Sequence, residues 1–288
     1  MIAHVAAAAE QRGRVVLQLT SGRPNRIALE AAIRIAKAFQ SELESLFVED
    51  QNLCDCAGFP FACEIPFHGR ERRPLSTEIM ERELRHLAAA VGRELRILAQ
   101  DAEVPLHQTV VRDDPISALA KACAARGPWN VVALGNTVET AAAQLIRGVF
   151  ETIVDTTGIV FVGPRARHRG GPIILVVEDV SNVESMLRAA ERLQSDENAP
   201  GITILLLADS EEKVALMDGQ VRLLLGDHDT AKIKHAVVAE GGERALAEVL
   251  RRLHGSFMIG QFGGRLEPAS GDLQHLITSL ECPLFLVR

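Results

Sequence analysis

Short, largely apolar runs recur along the chain at residues 15–19, 43–48, 131–134 and 159–162. They return at 173–177, 202–207, 257–259 and 284–287, and a strand with a more polar start is predicted at 234–238. These runs do not alternate apolar with polar positions. Each strand they predict is therefore covered on both faces, as in a parallel sheet held between helical layers. Between them lie segments with apolar residues at helical spacing. The first starts at Pro24 and sets Ile27, Ala31, Ile35 and Phe39 on one side. A long one, from about residue 75 to 100, presents Ile79, Leu84, Leu87, Val91, Leu95 and Leu98 as a stripe. Asp114 followed by Pro115 opens a third, with a capping carboxylate and a preset first φ. Its apolar positions are Ile116, Leu119 and Cys123, and a fourth helix covers roughly 140–154. The later part of the chain predicts helices at 181–193, 211–224, 243–253 and 272–280. The spacing of Ser181 and Glu184 matches a capping box at the start of the first of these.

The same order of elements is written twice. RVVLQLTSGRPNRIALEAAIRIAKAF at 14–39 and IILVVEDVSNVESMLRAAERL at 173–193 are each an apolar run, a turn and an amphipathic helix. The copies also close alike, with NVVALG and GIVFVGPR in the first and SFMIG and CPLFLVR in the second. A repeat this long is a duplicated domain, since solenoid units span only about 20–50 residues. The fold class is α/β: two tandem domains, each an open five-stranded parallel sheet with helices on both faces. The two are expected to superpose as separate sheets and to pack as an internal pseudo-dimer through their last strands, 159–162 and 284–287, which otherwise leave apolar edges. The join, GPRARHRGGP at 163–172, reads as a glycine-rich, basic linker.

Composition narrows the function classes. The chain has 288 residues, 47% hydrophobic and 24% charged, enough for two cores. A net charge of −7 gives no general attraction to nucleic acid or an anionic membrane. The clusters Arg70/Arg72/Arg73 and Arg165/Arg167/Arg169 read as solvated loop charge. No apolar stretch approaches the roughly 20 residues of a membrane span. Residues 1–10 lack the basic start and apolar core of a signal peptide, so a cytoplasmic location is expected. Five cysteines at no framework spacing fit a reducing compartment. Cys54, Cys56, Cys63 and His68 lie together in the segment 53–74, but their spacing is not that of a structural zinc site, and free thiols are expected. Phe59, Phe61, Ile65 and Phe67 are expected to pack this long loop onto the domain, and the segment has no helical or strand period. Cys123 and Cys282 are expected in the core. No nucleophile–base pair, metal-ligand pair or Walker loop occurs, and the chain is expected not to be an enzyme.

Strand, helix and glycine-bearing strand ends together resemble the universal stress protein family in its tandem form. The resemblance implies a domain at 1–167, with a long insert at about 51–74, and a shorter one at 168–288. The family motif is a strand ending in Asp, a later strand ending in G-x2-G-x9-G-(Ser/Thr), and a final strand opening with Cys-Pro. Its nucleotide-binding members hold ATP with that glycine motif. Glycines let the backbone approach phosphate, and helix N-terminal amides meet its charge. In the first half the spacing persists but the residues do not: Thr20 replaces the Asp, Gly135 is followed by Val138 in the second glycine position, and Gly148 by Val149. In the second half Asp179, Gly260, Gly263, Gly264 and Gly271 stand near their family places, with a shortened spacer and with Asp272 where a hydroxyl belongs. The resemblance implies a non-catalytic stress-response or regulatory role. Weak binding of ATP, ADP or AMP would then fall in the second half, through those residues. The alternative is a protein-interaction module with vestigial pockets, an unidentified protein partner, and a homodimer as a further assembly.

Overall fold

The computed structural model describes residues 13–22, 24–65, 72–125, 130–135, 148–149, 151–152, 156–167, 170–194, 201–226, 231–238, 243–261, 263 and 272–287. In the first half the strands are β1 (Arg14–Leu19), β2 (Glu42–Asp50), β5 (Leu106–Asp113), β6 (Asn130–Leu134) and β7 (Thr156–Phe161), with a two-stranded ribbon of β3 (Cys63–Glu64) and β4 (Arg73–Pro74). Its helices are α1 (Arg26–Ala38), α2 (Gln51–Ala57), α3 (Thr77–Asp101) and α4 (Pro115–Ala124). The second half has β8 (Ile173–Val177), β9 (Ile202–Ala208), β10 (Ala231–Val237), β11 (Phe257–Gln261) and β12 (Leu284–Val287). Its helices are α5 (Val183–Leu193), α6 (Glu211–Leu225), α7 (Glu243–Arg252) and α8 (Asp272–Ser279).

The main sheet runs β10-β9-β8-β11-β12-β7-β6-β1-β2-β5. Within each half all five strands are parallel, and their spatial order is third, second, first, fourth, fifth. The two halves meet at one antiparallel pairing, β7 with β12, in which Leu284 faces Phe161 and Val287 faces Gly158. The last strands thus join the halves, and the two five-stranded sheets run on as one ten-stranded sheet rather than standing apart. Alternate residues of each strand feed two cores. Val15, Leu17, Leu19, Ile173, Leu175 and Val177 pack with α1, α3, α5 and α6. Val16, Ile174 and Val176 pack with α4, α7 and α8 on the opposite face. Burial on both faces is why the runs are uninterrupted.

The helix starts follow local chemistry. Asn25 caps α1, accepting from the Ile27 N–H at 2.9 Å, so α1 begins two residues after Pro24 rather than on it. It ends at Ala38, and Gln40, with a φ of 50°, turns the chain away from the helical path. Asp114 caps α4 through the N–H groups of Ile116 and Ser117, with Pro115 in the first turn, as the sequence predicts. The capping box expected at Ser181 and Glu184 does not form. Asp179 instead accepts from the Ser181 N–H and starts a 3-10 turn at Val180–Asn182, and α5 begins only at Val183. The Asp179 carboxylate takes the amide two residues on, an Asx-type turn that ties Ser181 into the 3-10 turn, and α5 follows Asn182, which provides no side-chain cap.

Two corrections concern the first half. The strand β5 has no continuous apolar run, because it is an edge strand with an exposed polar side. The 51–74 insert is not wholly irregular. Asp50 caps α2 through the Asn52 N–H, and Cys54 and Ala57 bury against the domain. Beyond α2 the expected packing fails: Phe59 and Phe61 are 53% and 79% exposed and stack on each other at 5.5 Å. Ile65 is exposed too, while Phe67 and His68 lie outside the described residues. Cys123 and Cys282 are buried as expected, and none of the five cysteines is in a disulfide.

The seam tolerates no side chain at Gly158, where a Cβ would stand 2.5 Å from Phe285 and 2.7 Å from the Leu286 carbonyl. Gly158→Val should therefore destabilise the protein by about 2 kcal/mol or more, through overpacking against backbone. Urea unfolding of the variant should show a lower midpoint; an unchanged midpoint would mean that the seam is loose.

Candidate functional site

Open parallel sheets bind ligands in the crevice outside the carboxyl ends of their strands, where neighbouring connections diverge. The strand order places that point between β1 and β6 in the first half and between β8 and β11 in the second. Because the halves join antiparallel, the two crevices open at opposite ends of the sheet.

In the first crevice, Thr20 follows β1 and Gly135 follows β6. Gly135 is there for packing. A Cβ on it would lie 2.5 Å from Leu19 Cδ2 and 2.9 Å from the Gln18 carbonyl oxygen. Its N–H donates to the Gln18 carbonyl, and its own carbonyl accepts from the Asn25 N–H, both at 2.9 Å. That pair of bonds ties the end of β6 to β1 and to the cap of α1. The amide a phosphate would meet is already used. Gly148 lies against Ile116 of α4, where a Cβ would come within 2.4 Å of Ile116 Cδ1. Val149 is fully buried in the core beside α4. Val138 lies outside the described residues.

The second crevice is arranged differently. Gly260 sits in β11 level with Val176 of β8. Asp179 follows β8 at its carboxyl end and is exposed, with its carboxylate on the Ser181 N–H at 3.0 Å. That backbone hydrogen bond, with help from the Ser181 side chain, holds the Asp179 carboxyl below the usual carboxylate range. Gly263 has a φ of 109°, and a Cβ on it would meet nothing within 4 Å. Its glycine thus answers to backbone conformation rather than to crowding. Gly264 and Gly271 lie outside the described residues, and Asp272 is the first residue of α8. The structure thus brings Asp179, Gly260 and Gly263 to the same end of the second half. It also gives Asp179 a capping task that the family motif does not suggest.

Among the described residues no group of three or more His, Cys, Asp or Glu side chains is placed to hold a metal ion. Among them, no helix is long and apolar enough to cross a membrane. Burial pushes the Cys54 thiol above the usual cysteine range, which disfavours its reactive thiolate form. The seam between the halves holds a helix–helix contact that no sequence motif signals. There Arg34 of α1 donates to the Leu193 carbonyl at 2.9 and 3.3 Å and lies over the Phe257 ring.

Compared by sequence, the chain matches no protein-family model and no curated protein significantly. Compared by structure, it is similar to a universal stress protein from Archaeoglobus fulgidus DSM 4304, at 14% identity and a TM-score of 0.62, with 97% of each chain covered. It is similar to a putative universal stress protein from Pseudomonas aeruginosa UCBPP-PA14, at 14% identity and a TM-score of 0.58, covering 97% of this chain and 94% of that one. It is also similar to the cytoplasmic domain of a prokaryotic cation chloride cotransporter, at 10% identity and a TM-score of 0.56, covering 96% of this chain and 95% of that one. At these identities the likeness is one of fold: the chain has the tandem universal-stress architecture over nearly its whole length.

Two outcomes follow from this geometry. Val149→Ser restores the hydroxyl of the family motif, but at a fully buried site. It should cost about 2–3 kcal/mol of stability and create no nucleotide affinity, as thermal denaturation and calorimetry would show. Asp179→Ala should lower stability by about 1 kcal/mol at neutral pH, as for other lost caps. The folded carboxyl has a depressed pKa, so its contribution is present above the unfolded value and vanishes as pH falls through the folded one. Thermal melts of variant and wild type should therefore converge in acid; a constant gap down to pH 2 would remove the carboxylate from the argument.

Proposed function

We propose that the chain is a regulatory protein of the universal stress type, without catalysis of its own, that binds an adenine nucleotide weakly through its second half. The observation that carries the reading is the contrast between Gly135 and Gly263. The first has both backbone groups engaged and a crowded Cβ position. The second has a positive φ and open space around it. Phosphate approach needs the open kind. In the family arrangement Asp179, at the end of β8, would meet the base and the glycine-bearing strand end the phosphate. By the same motif Asp272, at the start of α8, takes the place of the phosphate-contacting hydroxyl, and its negative charge would favour AMP or ADP over ATP unless a divalent ion intervenes. A cytoplasmic location goes with this reading, since none of the five cysteines is in a disulfide, the exposed Cys56 and Cys63 included.

Calorimetry on the full chain tests the proposal. AMP should bind more tightly than ATP in the absence of a divalent ion. Asp272→Ser should strengthen ATP binding by on the order of 1 kcal/mol, the size of one repulsive contact in a solvated cleft. An absence of binding heat with both nucleotides at millimolar concentration would overturn it.

The second reading, an interaction module with vestigial pockets, is favoured by the exposed Phe59–Phe61 stack on the insert. Failure of the nucleotide test would leave this reading in place.

A further inference from the structure

The seam contains two quasi-equivalent clefts, and only one has been filled. On one side, Ile27, Glu30, Ala31 and Arg34 of α1 face Phe257 and Pro283 across a space of about 110 Å³. On the other, Ser185, Arg188, Ala189 and Arg192 of α5 hold the same helical spacing and face Val131 and Thr157. Val131 and Phe257 are counterparts in the sheet. Val131 stands beside Val15 in β1, and Phe257 stands beside Ile173 in β8, with all four on the same face. The large ring of Phe257 fills its cleft, whereas Val131 leaves an open cavity of about 440 Å³. That volume falls in the range of about 300–1,000 Å³ typical of small-molecule sites.

Size is not the only difference. The filled cleft presents apolar Ile27 and acidic Glu30 where the open one presents Ser185 and basic Arg188. The paired arginines also differ in their engagements. Arg34 spends its N–H groups on the Leu193 carbonyl and seals the end of α5. Arg192 lies over the Phe39 ring at 5.6 Å, and no carbonyl or carboxylate among the described residues takes up its N–H groups. The corresponding end of α1 is closed by its own backbone, the Ser41 N–H donating to the Ala36 carbonyl. Among the described residues Arg188 pairs with Glu184, at 4.0 Å. Arg14, which also borders the cavity, is spent elsewhere: its guanidinium binds Glu44, the Asn130 side chain and the Ala122 carbonyl. The floor of the cavity is apolar, with Val131, Phe285 and Val287, and the Phe39 and Phe285 rings meet edge to face at its side.

We propose that this cavity binds a monoanionic amphiphile, a carboxylate on a compact apolar body. The carboxylate meets Arg188 and Arg192, and the apolar body lies against Val131, Phe285 and Val287. Two under-used guanidinium groups above an apolar floor suit that chemistry, since charge-assisted contacts fix the head and burial holds the tail. Both halves contribute: the floor comes from β6 and β12, the cations from α5, and Phe39 from the end of α1. A ligand there would link the halves across the seam. The site is separate from the second-half crevice, so its test is independent of nucleotide binding.

The probe is octanoate, with octanol as its neutral counterpart, in isothermal calorimetry on the full chain. Octanoate should bind one per chain, and octanol at least about tenfold more weakly, the loss expected for a charge-assisted contact. Val131→Phe, which copies the filled cleft, should abolish binding. The double variant Arg188→Glu, Arg192→Glu should weaken it by about tenfold or more. Both arginines are exposed, so this variant decides the matter even if Val131→Phe does not fold. No octanoate binding to the wild type, equal binding of octanol, or undiminished binding by the arginine variant would each overturn the proposal.

Discussion

The antiparallel pairing of β7 with β12 is the contact on which the rest of the molecule depends. Both strands are apolar, and left alone each would end its half with an open sheet edge. Pairing them removes both edges at once and carries the two cores across the seam. One core therefore contains residues of β1 and α1 together with residues of β8 and α5. The bare backbone at Gly158 lets Phe285 and the β12 main chain come close enough to pair. The edges that remain, β5 and β10, are largely exposed, and β10 carries Lys232 and Lys234. Charges on an edge strand discourage further sheet growth.

An antiparallel join also sets the geometry of every candidate site. It points the carboxyl ends of the two parallel sheets in opposite directions, so the two crevices cannot share a ligand. It brings α1 beside α5, where Arg34 closes the end of its neighbour and Arg192 rests on Phe39. The duplicated parts have then diverged in complementary ways. The first half has turned its glycine strand end into a packing joint, with Gly135 locked to Gln18 and Asn25. The second has kept open backbone at Gly263. At the seam, Phe257 fills the cleft on one side and Val131 leaves the other open. Duplication supplied two copies of each feature, and in each pair one copy is consumed by the fold while the other stays available.

The insert shows the same division on a smaller scale. Its first turn and a half are structural: Asp50 caps α2, and Cys54 and Ala57 are buried. Past Gly58 the chain turns outward, and Phe59 and Phe61 cover each other instead of the domain. Burying both rings would be worth several kcal/mol, at about 25 cal/mol per Å² of apolar surface. Their exposure leaves an apolar face on the outer part of the insert.

The sequence by itself determined the architecture: two copies of one α/β unit, with strands covered on both faces and joined by the strands that would otherwise be edges. Those features follow from the period and length of apolar runs, which report burial directly. It also located the crevices, because strand ends and glycines are visible in one dimension. It misplaced what depends on competition between neighbours. Asp179 caps a 3-10 turn ahead of α5 where a capping box at Ser181 was expected, Asn25 rather than Pro24 opens α1, and Phe59 and Phe61 face outward where packing was expected. It gave no sign of the seam cavity, since Val131 and Phe257 are unremarkable core residues until the pseudo-symmetry sets them in matching clefts. Burial patterns are local and additive along a chain. The difference between a filled cleft and an open one arises only when side chains distant in sequence share a volume, and that volume exists only after the halves have joined.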